Sequence, residues 1–286
     1  MIKQLFVLLV AISTSAYALP LPKLQYSEQS ALNTEISAGY DFEGIVALNN
    51  CSGSIVRFTR SLDDDKAMVM TNGHCLANML GGGMPEPGEV IVNKSVSRKI
   101  YVLNPADGTK IGEINAEKIL YATMTKTDMT LYSLRQTYKE IKDRFNVRPL
   151  MLSEKYATIG DGIDVVSGFW KKGYTCQVEM FVNILKEDKW TMNESIRYTR
   201  PGCETIGGTS GSPVISRVSR EVIGINNTAN EDGEKCTMNN PCEMDAKGAM
   251  SFEKGFSYGQ QTSWLYSCLT SENVLDLTKT GCQLPH

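Results

Sequence analysis

Ser210 stands at the centre of Gly207-Gly208-Thr209-Ser210-Gly211-Ser212-Pro213-Val214. A hydroxyl flanked by small residues, with open backbone N–H groups beside it, is what acyl transfer requires: one atom attacks a carbonyl and donors hold the resulting oxyanion. The same residues are also ordinary turn formers, so Ser210 is judged by its partners. A serine hydroxyl is a poor nucleophile near neutral pH without a base, and histidine titrates where that base is needed. The chain has two histidines, and His286 is its last residue, which leaves His74 in Thr71-Asn72-Gly73-His74-Cys75. The carboxylate that would orient an imidazole is Asp128, at the head of the alternating run Asp128-Met129-Thr130-Leu131-Tyr132-Ser133-Leu134. Their order, His, Asp, Ser, argues against the α/β-hydrolases, in which histidine follows a serine set in Gly-x-Ser-x-Gly.

The elements around these residues read as β-structure. Short apolar or alternating runs at 45–48, 54–58, 67–71, 89–92, 99–103 and 130–134 are separated by turn-rich segments, as expected of an antiparallel barrel or sandwich. The charged stretch 137–147 is the best linker and can hold a short helix. Strand patterns resume at 163–169, 175–182, 195–199, 213–216, 222–225 and 256–259. From Thr262 to Leu277, the spacing of Trp264, Leu265, Cys268, Leu269, Val274 and Leu277 predicts a terminal helix.

Residues 1–18 combine Lys3, an apolar run from Leu5 to Ile12 and small residues at Ala16 and Ala18, the pattern of a secretory signal peptide. Residues 19–38 are polar, contain Pro20 and Pro22, and read as a propeptide or N-terminal extension. Loss of Lys3 leaves 28 of the 29 basic residues against 32 acidic ones, a net charge of −4, which argues against a nucleic-acid partner. No run of about twenty apolar residues offers a membrane anchor. The protein is expected to be secreted or periplasmic and monomeric.

The eight cysteines (Cys51, Cys75, Cys176, Cys203, Cys236, Cys242, Cys268 and Cys282) lie outside the signal segment, and an even number in an exported chain favours disulfides. Order along the chain pairs 51 with 75, 176 with 203, 236 with 242 and 268 with 282. With one internal histidine and no Cys-x-x-Cys, no metal site and no cofactor are expected. The long segment 227–255, which carries Cys236 and Cys242, reads as a surface loop in preference to a substrate-selecting one.

Five stretches in order, Cys51-Ser52-Gly53-Ser54, Thr71-Asn72-Gly73-His74-Cys75, Asp128-Met129-Thr130-Leu131, Gly207-Gly208-Thr209-Ser210-Gly211-Ser212-Pro213 and Phe256-Ser257-Tyr258-Gly259, resemble the landmarks of chymotrypsin-like (trypsin-fold) serine proteases. The resemblance covers about residues 40–270. It implies an all-β fold of two six-stranded antiparallel β-barrels (about 40–147 and 150–261), the terminal helix and tail following at 262–286, with the catalytic residues in the cleft between the barrels.

On that resemblance His74 is the general base, Asp128 its orienter and Ser210 the nucleophile of a peptide-bond hydrolase, and the N–H groups of Gly208 and Ser210 form the oxyanion hole. The Cys51–Cys75 pair then anchors the histidine loop. The floor of the specificity pocket falls six residues before the serine, at Glu204, beside Thr205 and with Phe256, Ser257, Tyr258 and Gly259 along a wall. A carboxylate there predicts cleavage after Arg or Lys.

Two features depart from the family pattern. Thr209 occupies the place of the aspartate that pairs with a new N-terminus in trypsin-like zymogens, and no Ile-Val-Gly-Gly start precedes Cys51. Activation through a buried N-terminal ammonium is therefore not expected. Bacterial glutamyl endopeptidases share the Gly-x-Ser-Gly-Ser-Pro ending and a threonine like Thr205, but use a pocket-wall histidine where this chain has Phe256. The competing readings are a catalytically silent homologue that binds through its cleft and a disulfide-rich structural protein. The latter leaves the five ordered motifs unexplained.

Overall fold

The structure is a computed structural model that describes residues 39–77, 79 and 83–286. The signal and propeptide segments expected at 1–18 and 19–38 lie outside the described residues. Strands β1 (Ile45–Ala47), β2 (Ser52–Arg57), β3 (Lys66–Thr71), β4 (Val90–Leu103), β5 (Lys110–Thr123) and β6 (Met129–Thr137) form one sheet in the order β1-β4-β5-β6-β3-β2. The β1–β2 pairing closes it into a six-stranded antiparallel barrel. Closure leaves no free edge along that ring. β7 (Leu150–Met151) lies beyond residue 147 and adds in parallel to β2.

The second ring runs β10-β15-β12-β11-β8-β9 and closes through β10–β9. Its strands are β8 (Gly162–Ser167), β9 (Lys172–Glu187), β10 (Trp190–Tyr198), β11 (Pro213–Ser216), β12 (Val222–Ala229) and β15 (Ser257–Gln261). The short strands β13 (Cys242–Met244) and β14 (Met250–Ser251) extend it outside β9. Between the barrels, Thr137 caps α1 (Tyr138–Phe145): its hydroxyl accepts from the Glu140 N–H, and Glu140 reaches back to the Thr137 N–H. That capping box and the left-handed Asn146 fix both ends of the linker helix.

β3 explains how the first barrel keeps its own interior while packing on the second half. Its alternate residues Ala67 and Val69 fill the first barrel with Ile55, Ile100, Ile114 and Tyr132. Met68 and Met70, on its other face, pack with Tyr121 and Leu131 into a cluster that takes in Ile215, Val222, Ile225, Trp264 and Leu265 of the second half. A strand covered on both faces loses the polar half of its alternation, which is why residues 67–70 read as an unbroken apolar run.

The terminal helix is shorter than its spacing predicts. α2 spans only Trp264–Ser267. Thr270 diverts the chain: its hydroxyl accepts from the N–H groups of Glu272 and Val274, and Asn273 takes a left-handed conformation. Side chains that bond to nearby backbone compete with helix in this way. The four disulfides pair in order along the chain, Cys51–Cys75, Cys176–Cys203, Cys236–Cys242 and Cys268–Cys282.

Candidate active site

β3 ends at Thr71, and the chain turns into a one-turn 3-10 helix, His74–Leu76, tied to β2 by the Cys51–Cys75 bond. The turn is locked onto the loop that carries Asp128. Asn72 Nδ2 donates to the Asp128 carbonyl at 2.8 Å, and the His74 N–H donates to Asp128 Oδ1 at 3.1 Å. His74 Nδ1 lies 2.6 Å from Asp128 Oδ2. Asp128 is buried at 1% side-chain exposure, whereas His74 retains 23%. The pairing places the Nδ1 proton toward the carboxylate and leaves Nε2 as the basic nitrogen.

This geometry acts on the imidazole in opposing directions. Burial disfavours its charged form, but the Asp128 charge and hydrogen bond, with a further contribution from Glu187, outweigh it and raise its pKa above the usual 6.5. Gly73 is required for the close packing, because a Cβ at this position would meet the Thr123 carbonyl oxygen at 2.1 Å and Asp128 Oδ1 at 3.0 Å.

Ser210 follows the turn Gly207-Gly208-Thr209 and lines one pocket with His74 and Asp128. Its hydroxyl donates to the Asn227 carbonyl at 3.3 Å, and no hydrogen bond joins it to the His74 ring. Gly211 anchors the loop to the first barrel: at φ +84°, a Cβ there would meet Thr71 Oγ1 at 2.2 Å and the Ser52 carbonyl oxygen at 2.3 Å. The Ser52 N–H also donates to the Ser210 carbonyl at 2.8 Å.

The N–H groups of Gly208 and Ser210 have no acceptor among the described residues. The direction of the Gly208 N–H is set from behind. Trp170 Nε1 donates to the Gly207 carbonyl at 2.7 Å, and Ser52 Oγ donates to the Gly208 carbonyl at 3.1 Å. In a trans peptide the C=O and N–H point opposite ways, so fixing the Gly207 carbonyl on the indole aims the Gly208 N–H away from it. Gly208 has φ +88°, and a Cβ would meet Phe169 and Trp170 at 2.9 Å. Sequence reasoning missed Trp170 because it stands 40 residues before the serine and reads as an exposed hairpin residue.

The specificity-pocket expectations need correction. Thr205 lines the pocket, but Glu204 does not. The Thr205 N–H bonds back to the Cys203 carbonyl at 3.0 Å, a tight turn that buries Cys203 and Thr205 and leaves Glu204 exposed, where its carboxylate accepts from the Gly202 N–H at 2.9 Å. A basic preference therefore cannot rest on Glu204. Of the wall residues, Phe256 is held between Arg197 and Arg200, whose guanidinium carbons lie 4.4 and 4.2 Å from the ring centroid. Ser257 Oγ accepts from the Thr205 N–H at 3.0 Å, and the Tyr258 hydroxyl donates to Glu243 at 2.9 Å. Gly259 lets the Tyr198 hydroxyl approach, since a Cβ would meet it at 2.3 Å. These four support the pocket from outside its lining.

The wall is instead formed by the end of β12, Asn226 to Ala229, with Glu231, Met238 and Asn239. The segment expected to be a surface loop therefore reaches the pocket. Also lining the pocket is a methionine-rich group, Met84, Met124, Glu187, Trp190 and Met192. It is brought beside the histidine because the β9–β10 hairpin bonds to the loop before Asp128: the Lys126 N–H donates to the Thr191 carbonyl at 3.0 Å and the Asn193 N–H to the Lys126 carbonyl at 2.8 Å.

Among known proteins, the family described as "Trypsin-like peptidase domain" matches residues 51–225, more than half of the chain. No curated protein sequence matches. Solved structures with a similar fold include the Rv3671c protease from M. tuberculosis in its active form, at 14% identity and TM-score 0.48, covering 98% of this chain and 97% of that one. The MamO protease domain from Magnetospirillum magneticum is 12% identical, with a TM-score of 0.48 over 80% of this chain and 97% of that one. A Glu endopeptidase is 15% identical, with a TM-score of 0.43 over 79% and 86% respectively.

Proposed function

The chain belongs to the trypsin-like peptidase family and is a serine endopeptidase; from that premise we propose that Ser210, His74 and Asp128 carry out the hydrolysis. Ser210 Oγ attacks the scissile carbonyl while His74 Nε2 takes its proton. Asp128 holds the imidazole in the required tautomer and stabilises its charged form. The N–H groups of Gly208 and Ser210 receive the oxyanion, and His74 returns the proton to the leaving amine. Water then repeats the sequence on the acyl-enzyme.

The observation that carries this reading is the 2.6 Å His74–Asp128 contact at the wall of the pocket that also contains Ser210. The protein acts as a monomer on protein or peptide substrates outside the cytoplasm. The pairing of all eight cysteines supports that address, since disulfides persist in oxidising compartments. No helix among the described residues is long and apolar enough to cross a membrane.

One observation favours a second reading, a catalytically silent homologue that binds through its cleft: the Ser210 hydroxyl is bonded to Asn227 and not to His74. Catalytic hydrogen bonds are often completed only in the substrate complex. Incubation of the purified, disulfide-intact protein with unfolded protein substrates, followed by sequencing of the products, separates the two. The endopeptidase reading requires cleavage that is lost in Ser210→Ala and in His74→Ala. Intact substrate with the unaltered protein would support the silent homologue.

A further inference from the structure

Glu187 is a buried carboxylate that the hydrolytic steps leave unused. It ends β9, retains 8% exposure, lines the pocket and has no cationic partner among the described residues. One carboxylate oxygen accepts from the Asn239 N–H at 2.7 Å, and the Thr228 hydroxyl also favours the charged form. Burial pushes its carboxyl above the usual range, against those two groups and the nearby His74. Removing a carboxylate from water without a counter-charge is costly.

The surroundings define what would relieve that cost. Met124, Trp190 and Met192 belong to one buried cluster, with Met84 packed against it, and all four line the pocket together with Glu187. The Trp190 indole is fixed by donating to the Pro85 carbonyl at 2.9 Å. The pocket's titratable lining is His74, Asp128, Glu187 and the exposed Glu231, with no lysine or arginine among the described lining residues. Of the lysines on the hairpin, Lys186 adjoins Glu187 in β9 but is absent from the pocket's lining, and Lys189 is paired with Glu86 and lies over the Trp190 ring. A long aliphatic stem that ends in a cation suits such a lining: its methylenes lie along thioether and indole surface while its head meets the carboxylate.

We propose that Glu187 is a specificity-determining residue that receives a lysine or arginine side chain of the substrate in the methionine-lined pocket beside Ser210 and His74. The inference rests on the endopeptidase reading and adds the substrate class. It moves the basic preference from Glu204, which faces solvent, to a residue at the far end of the β9–β10 hairpin.

The test is a peptide library varied around the scissile bond, cleaved by the full-length protein and by Glu187→Gln, which keeps an acceptor for the Asn239 N–H. Rates are referred to enzyme titrated with a fluorophosphonate, so that only folded protein is counted. Enrichment of Lys and Arg over norleucine and citrulline at one position should fall at least about tenfold in Glu187→Gln, the scale of losing a desolvated charge pair. A merely structural role would slow charged and neutral peptides alike and leave the ratio unchanged. An unchanged ratio, or cleavage by the unaltered protein without basic enrichment, overturns this inference and leaves the endopeptidase reading intact. Absence of both labelling and cleavage overturns the reading and the inference together.

Discussion

The Trp170 indole N–H lies 2.7 Å from the Gly207 carbonyl oxygen, and this bond turns the next N–H, that of Gly208, away from the indole. With Thr209 in place of the zymogen-switching aspartate, the loop before Ser210 is held by side chains of the second and first barrels, Trp170 and Ser52. Trp170→Phe keeps a ring against Gly208 but loses the donor. Removal of an oxyanion donor itself costs about 10²–10³ in kcat, so loss of its support should lower kcat by roughly tenfold with little change in KM. Affinity for a peptidyl boronate, which mimics the tetrahedral state, should fall in parallel. An unchanged kcat would show that the loop holds its shape without the indole.

Acid should silence the enzyme early. The His74 pKa is raised, with Asp128 and Glu187 outweighing burial, and the base must be neutral to accept the Ser210 proton. The acidic limb of kcat/KM should therefore have its midpoint above 6.5. Glu187→Gln removes one of the two negative charges and should shift that midpoint downward. The sign for stability is the reverse of a carboxylate's: a raised folded pKa contributes below the unfolded value and is lost as pH rises through the folded one. Denaturation of His74→Gln and the unaltered protein across pH 5–9 checks this, with the difference narrowing as pH rises.

Gly73→Ala tests the joint between β3 and the Asp128 loop. The added methyl would meet the Thr123 carbonyl oxygen at 2.1 Å, and relief must move either the histidine turn or β5. A stability loss of about 1–3 kcal/mol is expected, with a larger proportional loss of kcat because the His74–Asp128 contact is displaced. Urea unfolding combined with active-site titration separates the two effects.

Replacing Cys51 and Cys75 together by Ala should destabilise the fold by about 3 kcal/mol, as expected for removing a cross-link that closes a loop of this size; the two residues are separated by 24 in sequence. Because His74 adjoins Cys75, activity should fall more steeply with temperature than the global melting transition does. Equal slopes would assign the bond to global stability alone.

The legible part of the sequence was chemical. A histidine after an apolar strand, an aspartate opening an alternating strand and a serine among glycines need one another, and their order limited the folds that could bring them together. β5 was not recognised, because Lys110, Glu113, Glu117 and Lys118 conceal Ile114, Ala116 and Ile119, whose side chains complete the first barrel's interior. A count of six residues placed Glu204 at the pocket floor, yet the tight turn closed by the Thr205 N–H on the Cys203 carbonyl leaves that carboxylate exposed, which a count along the chain does not reveal. Glu187 and Trp190 gave no signal, since only the hydrogen bonds of Lys126 with the β9–β10 hairpin bring them beside His74.

The most direct test of the catalytic assignment is intact-mass measurement after exposure to a fluorophosphonate, comparing the unaltered protein with Ser210→Ala. A single adduct that maps to Ser210, slowed by Asp128→Asn and absent from Ser210→Ala, is the result expected of an activated serine. No adduct on the disulfide-intact protein, or an equal adduct on Ser210→Ala, would contradict it.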